Sequence, residues 1–152
     1  MKNVSIIIIV LLLASVSMLY SSNYANKVMY RKDIDKHNLV LTKLVALSCS
    51  SYFSSSYEGL DRYTEALIPG DLELLEVLIV DERGIIVGYR CKDKKTSKLG
   101  QKIEEEQLNK YKSLLSGKIE DKENKYTDYF SSVVIGGGFF GAVILRYDSE
   151  SL

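Results

Sequence analysis

The apolar spacing along the chain changes three times. Val4 to Tyr20 carries no charge and is dominated by Ile, Leu and Val. A run of 17 residues with no polar face stands at the short end of what crosses a bilayer as a helix. Ser21 to Tyr24 extend it into the interface, where a tyrosine ring is favoured. From Asn23 to Tyr57 the apolar residues Val28, Ile34, Leu41, Leu44, Val45 and Leu47 recur near helical spacing, with neither Pro nor Gly before Gly59. This spacing predicts one long helix, with its Ser-rich end, Ser48–Ser56, prone to fray or bend. Asp61–Leu67 is predicted as a short helix with Asp61 as its N-cap, and after the Pro69-Gly70 break Asp71–Leu75 adds a turn.

Beyond this point the pattern is that of strands. Val77–Val80 and Ile85–Tyr89 are joined by the polar turn Asp81-Glu82-Arg83-Gly84, in which Asp81 is expected to hydrogen-bond its own backbone. Tyr126–Ile135 and Phe139–Tyr147 form a second pair around Gly136-Gly137-Gly138. Between the pairs, Cys91–Lys125 is rich in Lys and Glu and reads as a solvated face. Glu104–Ser116 within it is predicted as a helix, with Leu108, Tyr111, Leu114 and Leu115 on one face. Its acidic start and Gly117 at its end have the polarity a helix favours. Hairpins with helices packed beside them make an α+β fold with an antiparallel sheet.

Composition narrows the function by exclusion. The 152 residues suffice for one domain, and 20 basic residues balance 20 acidic ones, so no positive field points to nucleic acid. Cys49 and Cys91 are the only thiols, read as unpaired and partly buried, and His37 is the only imidazole, read as a solvated helix residue. Neither metal spacing nor a nucleophile–base pair is present, and the glycine triplet lacks the Lys-Ser or Lys-Thr of a phosphate loop. The expectation is a protein without catalytic residues, metal or cofactor.

The N-terminal run reads as an uncleaved signal anchor, because its apolar character continues through Met18, Leu19 and Tyr20. A cleaved signal peptide is the alternative, with Ser15-Val16-Ser17 as its cleavage region. Lys27, Arg31, Lys32 and Lys36 after the run, against Lys2 before it, leave the orientation open from charge alone.

Several segments, in order, resemble single Cache domains, the PAS-like sensor domains. Leu78–Val87 is similar to their V-x-D-x-x-G-x-[IV] hairpin and Leu99-Gly100-Gln101-Lys102 to the [IL]-G-K turn after it. Leu114–Lys118 resembles their L-x-x-G-x helix end. Val133–Ile135 with Phe140–Leu145 resembles the last hairpin, and Tyr147–Leu152 the exit toward a second membrane helix. The resemblance covers about residues 23–152 and implies, after the transmembrane signal anchor read over residues 1–22, a long helix over 23–57 and a PAS-like antiparallel sheet with flanking helices over 58–152. It further implies a single-pass cell-membrane protein whose extracytoplasmic domain binds a small molecule on one sheet face.

Two departures qualify the resemblance. Carboxylate-binding members carry Arg and His where this chain has Ile86 and Tyr89, and basic residues where it has Asp128 and Phe130, so a carboxylate ligand is not expected. The chain also reaches Leu152 without an output module, and the expectation is a stand-alone domain signalling through a partner, a fragment or a degenerate relic. The expected ligand contacts are Tyr89, Arg90, Tyr126, Tyr129 and Ser131, with Arg90 as a charge-assisted donor and the tyrosines as flat walls with hydroxyl tips. The competing reading is a non-catalytic docking module, roadblock-like or degenerate PAS-like, that dimerises through its long helix or binds a separate signalling protein.

Overall fold

The computed structural model describes residues 2–54, 57, 59–67, 73–93 and 97–149. In chain order they form α1 (Lys2–Phe53), α2 (Leu60–Leu67), β1 (Leu74–Asp81), β2 (Ile86–Cys91), α3 (Glu105–Leu114), β3 (Ser116–Asp121), β4 (Tyr126–Ile135) and β5 (Gly138–Asp148). The chain divides into two compact units, residues 1–36 and 37–152. The first consists of the N-terminal part of α1. Among the described residues no helix is long and apolar enough to cross a membrane. The larger part of the expected span, residues 4–16, lies outside the residues whose side chains are described.

The second unit is built on a five-stranded antiparallel sheet in the order β2-β1-β5-β4-β3. The last strand of the sequence is the middle strand of the sheet. Because successive residues of a strand point to opposite faces, the sheet has two cores. Val77, Ile79, Tyr129, Val133, Val143, Leu145 and Tyr147 pack with Val45, Ala46, Cys49 and Phe53 of α1 and Leu60 of α2. Leu78, Val80, Ile86, Phe130, Ala142 and Ile144 pack on the other face with Tyr111 of α3. The Ser132 hydroxyl donates to the Tyr111 carbonyl at 2.6 Å and ties β4 to α3.

The long helix continues through Ser48, Ser50 and Ser51 and ends at Phe53, short of the expected Tyr57, while residues 55 and 56 lie outside the described residues. Ser48 and Ser50 donate back to the carbonyls of Leu44 and Leu47 at 3.0 and 2.7 Å. These hydroxyls are satisfied within the helix instead of competing with it. The β1–β2 turn follows expectation. Asp81 Oδ1 accepts the backbone N–H groups of Arg83 and Ile85 at 2.9 and 2.8 Å, and Gly84 has φ +81°, which disfavours a side chain. The glycine triplet spans the turn between β4 and β5. At Gly141 the Phe53 ring and the Val80 carbonyl occupy the space a Cβ would need, so glycine sets how closely α1 approaches the sheet.

The structure corrects four further expectations. α2 begins at Leu60, which puts Asp61 inside the helix instead of at its N-cap. α3 ends at Leu114, and Leu115 turns the chain with φ 58°; both leucines are more than half exposed instead of joining Leu108 and Tyr111. Gly117 lies inside β3, an edge strand that the charge-rich composition concealed. An edge strand with polar residues on both faces carries no apolar alternation to read. Leu74 and Leu75 belong to β1, not to a helical turn, while residues 71 and 72 lie outside the described residues.

Candidate functional site

The α3 face of the sheet is apolar at one end and charged at the other. Glu76 on β1 stands opposite Arg146 on β5, and Arg146 stands opposite Asp128 on β4. The next row on the same face is Leu78, Ile144 and Phe130. A two-residue step along three strands thus converts a hydrophobic row into one of two carboxylates around a guanidinium.

Both carboxylates are about 5 % exposed and must be compensated where they lie. Arg146 does this for Asp128 with two parallel bonds, Nε to Oδ1 at 2.7 Å and Nη2 to Oδ2 at 2.9 Å. Its Nη1 donates to Glu76 Oε2 at 2.7 Å. The guanidinium carbon lies 3.7 Å from the Tyr126 ring centroid, within stacking distance. The other Glu76 oxygen, Oε1, accepts from the Tyr89 hydroxyl at 2.7 Å and from Lys98 Nζ at 2.6 Å. Lys98 Nζ also lies 5.6 Å from the Tyr89 ring centroid.

The electrostatics follow from this packing. Burial pushes the Asp128 carboxyl above its ordinary value, with Arg146 opposing the shift. Burial also works against the Arg146 charge, but Asp128 and Glu76 outweigh it and hold the guanidinium above its ordinary value. Burial, reinforced by the bond to Glu76, raises the Tyr89 phenol. Tyr89 is therefore a donor at neutral pH. Among the described residues no group of His, Cys, Asp and Glu is arranged to hold a metal ion.

The five residues expected at the site fall on two faces. Tyr89 and Tyr126 lie on the α3 face, at the charged row. Arg90 is opposite Val77, Tyr129 opposite Leu145 and Ser131 opposite Val143, which puts these three on the α1 face. Arg90 Nη2 pairs with Glu65 of α2 at 3.0 Å. Tyr129 is fully buried, edge-on to Tyr147 with ring centroids 5.6 Å apart. Ser131 lines a cavity of about 330 Å³ together with Lys43, Ala46, Ser116 and Val133.

Sequence reasoning missed Glu76, Lys98, Asp128 and Arg146 as partners. The available signal was a single charge inside each apolar strand: Glu76 between Leu74 and Val80, Asp128 between Tyr126 and Ile135, and Arg146 between Gly138 and Tyr147. A lone charge in a buried strand demands a partner, but the strand order that supplies the partner is not written locally.

No family model matches the sequence, and no curated protein matches it. Solved structures do. The sensor domain of the V. cholerae histidine kinase DctB aligns over 73 % of this chain and 45 % of that one, with 12 % identity and a TM-score of 0.49. The extracellular domain of vpHK1S-Z8, described as a histidine kinase, aligns over 79 % of this chain and 52 % of that one, with 13 % identity and a TM-score of 0.55. The chain spans about half the length of the domains it matches. The fold is shared with the extracellular domain of vpHK1S-Z8.

Proposed function

We propose that this chain is a membrane-anchored, extracytoplasmic signal-input domain that binds a small molecule and passes the signal to a separate protein. In this reading residues 1–22 are the anchor, 23–57 the helix leading from it and 58–152 the sensor domain. The ligand site is the charged end of the α3 face, with Tyr89 and Tyr126 as aromatic walls, Glu76, Asp128 and Arg146 as polar contacts and Lys98 at its edge. Arg90, Tyr129 and Ser131 support the sheet from its α1 face. The observation that carries the reading is the buried row Glu76–Arg146–Asp128. Buried ion pairs add little stability over well-packed apolar groups, so charges placed at one end of an otherwise apolar sheet face argue for recognition. Nothing in this chemistry calls for catalysis.

The test is a thermal-shift screen of the full chain in detergent micelles against amino acids, amines, short organic acids and purines. A ligand bound only to the folded state stabilises it by about 2.7 kcal/mol at a hundredfold excess over Kd. The shift is expected to vanish in Tyr126→Ala. No shift with any compound removes the sensing reading. The anchor is tested by fractionation with intact-mass measurement, and a soluble product beginning near Met18 overturns it.

A second reading, a docking or dimerisation module, is favoured by one observation. Val40, Leu44 and Leu47 form an exposed apolar stripe along α1. A second copy meeting this stripe makes the protein a dimer, and Leu44→Glu is then expected to yield monomers in light scattering.

A further inference from the structure

Among the described residues, Lys98 is the one cation of the charged cluster that the sheet does not supply. Glu76, Asp128 and Arg146 come from adjacent strands and sum to one negative charge. Lys98 precedes the Leu99-Gly100 turn and supplies the balancing positive charge through its Nζ, 2.6 Å from Glu76 Oε1. Without it, that carboxylate oxygen keeps, among the described residues, only the neutral Tyr89 phenol as a donor. The Lys98 side chain is 36 % exposed and that of Glu76 6 %. The carboxylate is built in, whereas the ammonium arrives on a flexible stem from the solvent side.

We propose that the Lys98 ammonium is a tethered stand-in for the ligand's own cation, so that the site selects small organic compounds bearing a primary ammonium group. The inference rests on the sensing function proposed above and names its ligand class. An oxygen of a buried carboxylate beside an aromatic ring is a receptor for ammonium, because the charge-assisted bond and the ring's negative face act on the same group. A neutral or anionic ligand that displaced Lys98 would leave Glu76 under-compensated in a buried place. A ligand ammonium replaces Lys98 charge for charge and releases the lysine to water. Every ligand therefore competes with a tethered amine at high effective concentration, and removing that amine tightens binding.

The experiment uses the full chain in detergent micelles and the probe n-propylammonium chloride, which restores the atoms removed by Lys98→Ala. Thermal unfolding is followed at constant ionic strength. The melting temperature of Lys98→Ala is expected to rise saturably with the probe, half-maximally at a concentration at least tenfold below that needed by the wild type. 1-Propanol and sodium propionate are expected to have no such effect, and Lys98→Ala combined with Glu76→Gln to lose the response. If Lys98→Ala does not fold, Lys98→Met provides the comparison with the same tenfold gain. Equal responses of variant and wild type, or an equal response to 1-propanol, overturn the inference. A screening hit that is an acid or a neutral compound and is lost in Tyr126→Ala overturns the cation inference and leaves sensing standing. The absence of any hit across the screen, with no probe response in either variant, removes both.

Discussion

Glu76 and Arg146 face one another directly across β1 and β5 and close a 2.7 Å ion pair, while the same guanidinium holds Asp128 on the next strand. One side chain thus compensates two buried carboxylates on both of its neighbouring strands. Replacing it removes both of its bonds to Asp128 and leaves Glu76 its Lys98 and Tyr89 contacts. Arg146→Met is expected to lower stability by about 3–5 kcal/mol, the usual cost of removing one partner of a buried pair. Adding Glu76→Gln and Asp128→Asn to it should recover a good part of the loss. Urea denaturation of the single and triple variants measures this, and an unchanged midpoint for Arg146→Met would refute the compensation.

Ile79 and Val143 are paired on the two central strands and both are fully buried. Replacing either by Asp places an unpaired charge in the α1-side core, at a cost of several kcal/mol. Thermal unfolding is expected to show a large drop or loss of the folded protein. A wild-type melting temperature would mean that the strand faces are wrongly assigned.

At Gly141 the Phe53 ring of α1 lies against the backbone of β5. A methyl group there meets the Val80 carbonyl and the Phe53 ring, and the backbone oxygen cannot turn aside as a side chain could. Gly141→Ala is expected to cost about 1–3 kcal/mol through overpacking. The double variant with Phe53→Leu relieves only the ring contact, so it should recover part of the loss in a denaturant titration.

Cys49 lies in the α1-side core, and burial pushes its thiol from 9.0 up to about 12. The folded state therefore keeps the proton after the unfolded chain has lost it. This contribution is complete below pH 9 and declines as pH rises toward about 12, by about 1.4 kcal/mol per pH unit. Cys49→Ala is expected to flatten the alkaline limb of the stability profile, and a thiol reagent should label Cys49 only on unfolding. Rapid labelling of Cys49 in the native protein would contradict the burial.

The readings that held depend on local rules. The Asp81–Gly84 turn was legible because an aspartate that accepts its own backbone N–H groups and a glycine at positive φ are requirements of a few adjacent residues. The strands Val77–Val80 and Phe139–Tyr147 were legible from their continuous apolar content. β3 was not, because an edge strand pairs on one side only and needs no apolar face. The helix end at Leu114 was missed because two leucines at helical spacing look buried until the chain is seen to turn beneath them.

By itself the sequence determined the long helix, the Asp81–Gly84 turn and the apolar strands. Those properties depend on neighbours within a few residues. Only the tertiary structure decided the sheet order, which puts the last strand in the middle, and with it the meeting of Glu76, Arg146 and Asp128 from positions up to 70 apart. It also decided that Tyr89 and Tyr126 share a face from which Tyr129 and Ser131 are excluded. The physical reason is that strand partners are chosen by global packing, and a shift of one residue in register sends every side chain of a strand to the opposite face.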